Sequence, residues 1–216
     1  KSQDETSFDK ILKLVSDRTE VDFSGYRRPT LNRRLENRML LRKCTDLDAY
    51  LKVIKEDHAE VAALFNNFLI AVTNFFRDPE AFEALRKDVL PEIFAKPKED
   101  DAPYRFWVTA CSTGEEAYSL AMLIDDYLEE TNQQHIAYKV FAADVDEYAV
   151  KFAVGGTYSI NMGAEIPKEY RTKYFTREGD HIIVKPLFRK RVMFAVQNLI
   201  SDPPFINMDL ISCRNF

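Results

Sequence analysis

Hydrophobic periodicity changes once along this chain, at Pro103, and that change limits the fold more than any other feature. Beyond it, short apolar runs alternate with amphipathic stretches: Tyr104 to Ala110 reads as a strand, Gly114 to Glu130 as a helix, Tyr138 to Ala143 as a strand and Asp146 to Val154 as a helix. A strand–helix–strand–helix order predicts an α/β fold, a parallel sheet covered by helices. Such sheets bind ligands beyond the carboxyl ends of their strands. Residues 156 to 191 are less regular and predict an insertion: a small helix near Pro167 to Tyr174, a Gly179-Asp180 turn, and the alternating run His181 to Lys185. Two further strands follow, Val192 to Val196 and Met208 to Ser212, the second apolar on both faces as an interior strand would be.

The first hundred residues carry the helical period instead. Phe8, Ile11, Leu12 and Val15 share one stripe; Leu31, Leu35 and Met39 follow Pro29, which suits a first turn. Leu47, Tyr50, Leu51 and Ile54 define a third helix, and Val61, Leu64, Phe65, Phe68 and Leu69 a fourth. A fifth is announced by Asp78-Pro79, Asp78 as cap, with Phe82, Leu85 and Val89 inward before Pro91 disturbs the pattern. Lys96 to Pro103 is polar and reads as a linker or turn, so the expected division is a helical domain over 1–95 and a sheet domain over 96–216.

Several function classes are disfavoured at once. No apolar run reaches the roughly 18 residues of a membrane span, and the charged N-terminus has no signal-peptide core. Cys44, Cys111 and Cys213 are odd in number and widely spaced, which points to a reducing, cytoplasmic setting. His58, His135 and His181 form no ligand cluster, so no metal is expected. A net charge of −5 argues against a nucleic-acid partner. Between Tyr26 and Lys43, however, seven basic residues face the single acid Glu36, and Arg34, Arg38 and Arg42 recur at the spacing of one helix face. That face is either simply solvated or a contact for an acidic helical protein.

Candidate site residues fall at the carboxyl ends of the expected strands. Ala110 to Glu116 joins a strand to a helix, and small residues there let a ligand approach the free N–H groups of the helix start. Glu115 and Glu116 would repel a pyrophosphate at that place, so the lone Gly114 turn suits a cationic or zwitterionic ligand such as S-adenosylmethionine. Asp144, thirty residues after Gly114, ends the second strand, where an acid accepts from ribose hydroxyls. Either Asp144 or Asp146 could instead cap the next helix, and both roles fit if Asp146 caps while Asp144 binds. Asn198-Leu199 and Cys213-Arg214-Asn215 follow the later strands and are either turn residues or part of the same cleft. In the helical part, Thr73-Asn74-Phe75-Phe76-Arg77-Asp78 supplies Arg77, a surface charge or a site residue.

These stretches, with Phe23 to Leu31, Gly156-Thr157-Tyr158 and Asp209 to Asn215, resemble in composition and order the chemotaxis-receptor methyltransferases of the CheR type. The wording of the N-terminal stretch and of Asp202-Pro203-Pro204-Phe205 is most similar to members fused to methylesterase and sensor domains. The resemblance implies a small all-helical domain followed by a Rossmann-like class I methyltransferase domain with an antiparallel β insertion. It implies S-adenosylmethionine as cofactor, S-adenosylhomocysteine as product, and glutamate side chains of a methyl-accepting chemotaxis receptor as substrate. By the same resemblance Thr73, Arg77, Glu115, Asp144, Asn198, Leu199, Asn215 and Phe216 contact the cofactor, beside Gly114, and Arg77 is the expected catalytic residue. Arg34, Arg38 and Arg42 are expected to meet the receptor. Two departures stand out: Ala71 occupies a place where the family usually has asparagine, and the family's sequence runs past the position of Phe216 through a tyrosine and further strands, so this chain is expected to be incomplete and inactive alone. The alternative is a non-catalytic, cofactor-sensing or scaffold domain of a larger signalling protein.

Overall fold

The computed structural model describes residues 6–19, 21–24, 26, 28–68, 73–99 and 102–214. Two compact units divide at Ala71 and Val72. The expected division at 95/96 followed the change from helices to strands, but packing does not: Phe82, Leu90 and Phe94, from the helical stretch before the first strand, are buried in one core with Phe106, Val108 and Val140 of the sheet. Among the described residues no helix is long and apolar enough to cross a membrane.

The first unit contains α1 (Ser7–Thr19), α2 (Arg28–Leu41), α3 (Leu47–Glu56) and α4 (His58–Phe68). Their apolar stripes close on Ile11, Leu35, Tyr50, Ile54 and Leu64, all fully buried, and each such side chain contributes about 2 kcal/mol by leaving water. Asp46 starts α3 by accepting from the Ala49 N–H at 2.8 Å. One carboxylate is buried among these helices. Glu60, 2% exposed, accepts from Arg38 Nε at 3.0 Å, Arg38 Nη2 at 2.6 Å and the Tyr50 hydroxyl at 2.6 Å. Arg42 adds a contact to Glu60 and pairs with Asp57 at 2.8 Å. Arg34 donates to the carbonyls of Asn67 and Phe68 at the end of α4. The three arginines expected at a receptor surface are thus engaged inside their own unit, where they satisfy a buried acid and helix-end carbonyls.

The second unit begins with α5 (Pro79–Ala84), a π-helical turn (Leu85–Val89) and α6 (Leu90–Phe94). Pro91 does not end this helix. It lacks an N–H and its ring crowds the preceding turn, and the wider π turn just before it relieves that crowding. Asp78 is not the expected cap: its side chain makes no cap hydrogen bond, its φ is 56°, and its carboxylate pairs with Arg214 at 2.7 Å.

The sheet follows: β1 (Tyr104–Thr109), α7 (Glu115–Glu130), β2 (Tyr138–Asp144), α8 (Glu147–Gly155), then β6 (Val192–Val196) and β7 (Leu210–Ser212) after the insertion. Strand order is β6-β2-β1-β7, and all three pairings are parallel. Asp209 fixes the start of β7, accepting from the Arg105 N–H at 2.8 Å and pairing with Lys98. The strand expected to be interior lies at an edge of the described sheet, with Ile211 exposed.

The insertion holds β3 (Thr157–Ser159), α9 (Lys168–Tyr174), β4 (Phe175–Glu178), β5 (His181–Val184) and α10 (Pro186–Arg189). Its sheet is antiparallel, in the order β3-β5-β4, and Gly179 at φ 57° turns the β4–β5 hairpin. The base of the excursion is stitched shut: the Val184 N–H bonds the Gly156 carbonyl at 2.9 Å, and Arg189 bonds the Gly155 carbonyl at 2.8 Å. On its outer side Tyr170 and Tyr174 of α9 bond Asp126 and Asp125 of α7 at 2.8 and 2.9 Å.

Removing the Glu60 carboxylate strands Arg38 and the Tyr50 hydroxyl. Glu60→Ala should lower the unfolding free energy by about 2 kcal/mol, short of the ~3–5 kcal/mol of a fully buried pair because Arg38 keeps some water contact. Urea unfolding measures this, and Glu60→Leu combined with Arg38→Met should recover most of the loss.

Candidate functional site

Because β1 and β2 are parallel and paired from Tyr104↔Tyr138 to Thr109↔Ala143, both chains leave the sheet at the same edge. The turn Ala110–Gly114 and the Asp144 side chain therefore emerge side by side. One Asp144 oxygen accepts from the Ser112 N–H at 2.7 Å and the other from the Asp146 N–H at 2.9 Å. Asp146 in turn caps α8, accepting from the N–H groups of Tyr148 and Ala149. Of the two acids, Asp146 is the one that caps α8, and Asp144 is left to bond the turn. Burial raises the Asp144 carboxyl above the usual carboxylate range, against the two backbone N–H bonds that lower it.

The turn is tight and strained. Ala110 and Ser112 both have φ of 49°, and Gly114 has φ of 93°. A Cβ on Gly114 would lie 2.8 Å from Ala153 Cβ and 3.1 Å from the Phe194 ring, so glycine is required both by conformation and by space. Glu115, the first residue of α7, is 0% exposed. Its carboxylate accepts from the Thr113 hydroxyl, makes no ion pair among the described residues, and is raised by burial. Burial also pushes the Cys111 thiol well up, with the Asp144 charge beside it, which leaves the sulfur protonated and unsuited as a nucleophile.

A second strained segment is tied to the first. Phe76 and Asp78 have φ of 51° and 56°, and a bulky aromatic in that region persists only when its surroundings hold it there. The Ser119 hydroxyl does so: it accepts from the Phe76 N–H at 2.9 Å and donates to the Glu115 carbonyl at 2.7 Å. Arg214, after β7, donates to the Arg77 carbonyl at 2.7 Å and to Asp78. Ser212 bonds the Glu116 carboxylate. Four of the seven non-glycine residues with positive φ among the described residues lie in these two segments.

Thr73 and Arg77, half-buried and exposed, flank the Phe75-Phe76 anchor; Gly114, Glu115 and Asp144 sit together at the ends of β1 and β2. Asn198 and Leu199 follow β6, whose last residue, Val196, is in register with Asp144, and the Gln197 N–H bonds the Asp144 carbonyl at 2.9 Å. Asn198 uses its side-chain oxygen on the Ile200 N–H at 3.0 Å, an Asx turn within the site edge. Asn215 and Phe216 lie outside the described residues. Sequence reasoning gave no role to Ser119, although a serine four residues after a helix-start glutamate is placed to back-bond that residue's carbonyl.

The donor set fits S-adenosylmethionine. Asp144 keeps lone pairs beyond its two backbone bonds for ribose hydroxyls, and Glu115 is a buried acid with no cation paired to it among the described residues, suited to a positively charged ligand and hostile to phosphate.

Comparison with known proteins gives the same direction. Residues 71–216 match the model of the CheR methyltransferase SAM-binding domain, and residues 6–69 match that of the CheR methyltransferase all-alpha domain. The chain is 38% identical over 206 residues to an uncharacterized 104.1 kDa protein of Rhodobacter capsulatus, covering 95% of this chain and 21% of that protein. It is 30% identical to a chemotaxis protein methyltransferase of Listeria monocytogenes, covering 95% of this chain and 75% of the relative. With the chemotaxis protein methyltransferase of Escherichia coli it shares 29% identity over 96% of this chain and 72% of the relative.

Gly114→Ala should cost about 2 kcal/mol, from backbone strain plus the contact at Ala153. Ala153→Gly in the same chain should recover only the contact part, which thermal unfolding of the two variants resolves. Glu115→Gln keeps the Thr113 bond and removes a carboxyl whose folded pKa is raised. The parent's native state binds that proton more tightly than the unfolded chain, so the parent loses stability as pH rises through the raised value. The difference in unfolding free energy between variant and parent should therefore move in the variant's favour from about pH 4 to pH 7.

Proposed function

Since the chain belongs to the CheR methyltransferase family, we propose that it serves in transfer of a methyl group from S-adenosylmethionine to glutamate carboxylates of a chemotaxis receptor. The observation that carries this reading is the meeting of Gly114, Glu115 and Asp144 at the carboxyl ends of β1 and β2, with Glu115 buried, Asp144 half-buried and neither in an ion pair among the described residues. S-adenosylmethionine supplies, when bound, an electrophilic methyl group.

A glutamate side chain with its ordinary pKa near 4.3 is ionised at neutral pH, so the site needs no general base. None of the histidines is called on. What remains is placement and exclusion of water. In this reading Asp144 receives the ribose hydroxyls, Glu115 and the turn at Gly114 favour the cationic end of the cofactor, and Thr73 and Asn198 border it. Arg77 orients the incoming carboxylate. Its backbone is held by Arg214 while its side chain is exposed, which suits a group that meets a macromolecular substrate. The receptor is taken to be an acidic helical surface facing α2. Arg42 is the exposed member of the three arginines, while Arg34 and Arg38 hold α4.

Calorimetry with S-adenosylhomocysteine tests the cofactor reading. Asp144→Ala should weaken binding by about 1–3 kcal/mol, the usual cost of leaving buried polar groups unpaired; equal affinity would sink the assignment. For the substrate, Arg77→Ala should reduce methylation of a receptor fragment at least tenfold at saturating S-adenosylmethionine, beyond whatever it costs in S-adenosylhomocysteine affinity, on the scale of a lost charge-assisted contact. Arg42→Ala, which loses the exposed pair with Asp57 but adds no charge beside Glu60, should lower methylation and spare cofactor binding, whereas reversal of Arg38 should unfold the first unit.

A further inference from the structure

The peptide plane joining Thr113 to Gly114 is the softest point of the cofactor turn. Glycine lets that plane rotate with little steric cost, and its orientation decides which way the Thr113 carbonyl and the Gly114 N–H point. One end of the plane is held locally, by the Gly114 N–H bonding the Cys111 carbonyl at 2.9 Å. The other end is held from far away in sequence. The Tyr158 hydroxyl, on β3 of the insertion, donates to the Thr113 carbonyl at 2.7 Å.

Tyr158 is itself fixed on several sides. It is fully buried, and its ring centroid lies 4.9 Å from that of Phe75, 6.2 Å from Tyr118 and 5.4 Å from Phe152. Its backbone is in register with Ile182 of β5. The phenol is raised well above its ordinary pKa by burial, so it remains a hydrogen-bond donor at any working pH. Thr113, the residue it holds, donates its hydroxyl to Glu115. One buried phenol therefore touches the cofactor turn, the Phe75 anchor of the Arg77 segment, and the antiparallel sheet.

We propose that Tyr158 is a positioning residue for the cofactor: it locks the Thr113–Gly114 peptide plane and thereby couples the placement of the β3-β5-β4 sheet to the cofactor turn. The proposal rests on the reading of this turn as a cofactor site. Ser112, which bonds Asp144, and Thr113, which bonds Glu115, both belong to that turn, and the fully buried Tyr158 acts on a ligand only through it.

Tyr118 supplies the control. Its hydroxyl also donates to a backbone carbonyl, that of Ala153, at 2.9 Å, from an equally buried place in the same core. Tyr158→Phe and Tyr118→Phe remove one hydroxyl each and should lower the melting temperature by similar amounts. Tyr158→Phe alone should weaken S-adenosylhomocysteine binding about tenfold, the scale of one lost buried hydrogen bond. It alone should also speed amide hydrogen exchange at residues 111–114 of the ligand-free protein. Binding by Tyr158→Phe within twofold of the parent, or equal weakening by both variants at equal stability loss, overturns the proposal. A parent that binds no S-adenosylhomocysteine defeats the cofactor reading instead, and the proposal with it, while faster exchange at 111–114 would still show Tyr158 holding the turn.

Discussion

Parallel pairing of β1 with β2 is the constraint from which the site follows. Parallel strands run in the same direction, so their carboxyl ends come out together and the residues after them must share one small region. Here that region receives a strained turn on one side and Asp144 on the other, and the Ser112 N–H is satisfied by the aspartate rather than by water. An antiparallel arrangement would send Ala110 and Asp144 to opposite edges. The two backbone bonds to Asp144 are also what keeps a carboxylate tolerable at a depth that opposes its charge.

Strain in the neighbouring segment has a comparable cause. Phe76 and Asp78 hold left-handed backbone because Phe75 is driven into the core, fully buried against Tyr158 and Phe175, while Arg77 is left outside. Regular helix would rotate one of the two the wrong way. Ser119 then resolves the amide this leaves behind, and it does so from α7, the same helix whose first residue is Glu115. One hydroxyl therefore ties the Phe76 segment to the first residue of α7, directly after the strained turn.

Sequence patterns revealed the elements whose signals are local. Asp144 and Gly114 were legible because a strand end followed by a helix start marks them, and the hairpin at Gly179 and the cap at Asp146 carry their own chemistry. What was hidden depends on partners far along the chain. The stripe of Phe82, Leu85 and Val89 looks the same whichever unit it serves, so the division at Ala71 and Val72 could not be read from it. Arg34, Arg38 and Arg42 have the spacing of a docking face, but Glu60 and the end of α4 lie 18 to 34 residues away and claim them. Asp78 before a proline has the form of a cap, and only the fold brings Arg214 to it from 136 residues away. Tyr158 stood in a recognised motif with no role attached, since nothing local says what its hydroxyl reaches.

The closed base of the insertion has a consequence for how the chain can change. Since Gly155 and Gly156 are bonded to Arg189 and Val184, the excursion leaves and rejoins the sheet unit at nearly one place. Its ends are already paid for in entropy, and doubling the length of a flexible loop closed at its ends costs only about 0.6 kcal/mol more. Residues far from that base, at the β4–β5 hairpin tip, can therefore be lengthened, shortened or replaced while β6 keeps its register with β2. The hairpin tip is therefore an exchangeable end on a fixed stem: the stem, with Tyr158 and Tyr174 in the common core, must stay, while the tip can take a new outer surface without rebuilding the sheet.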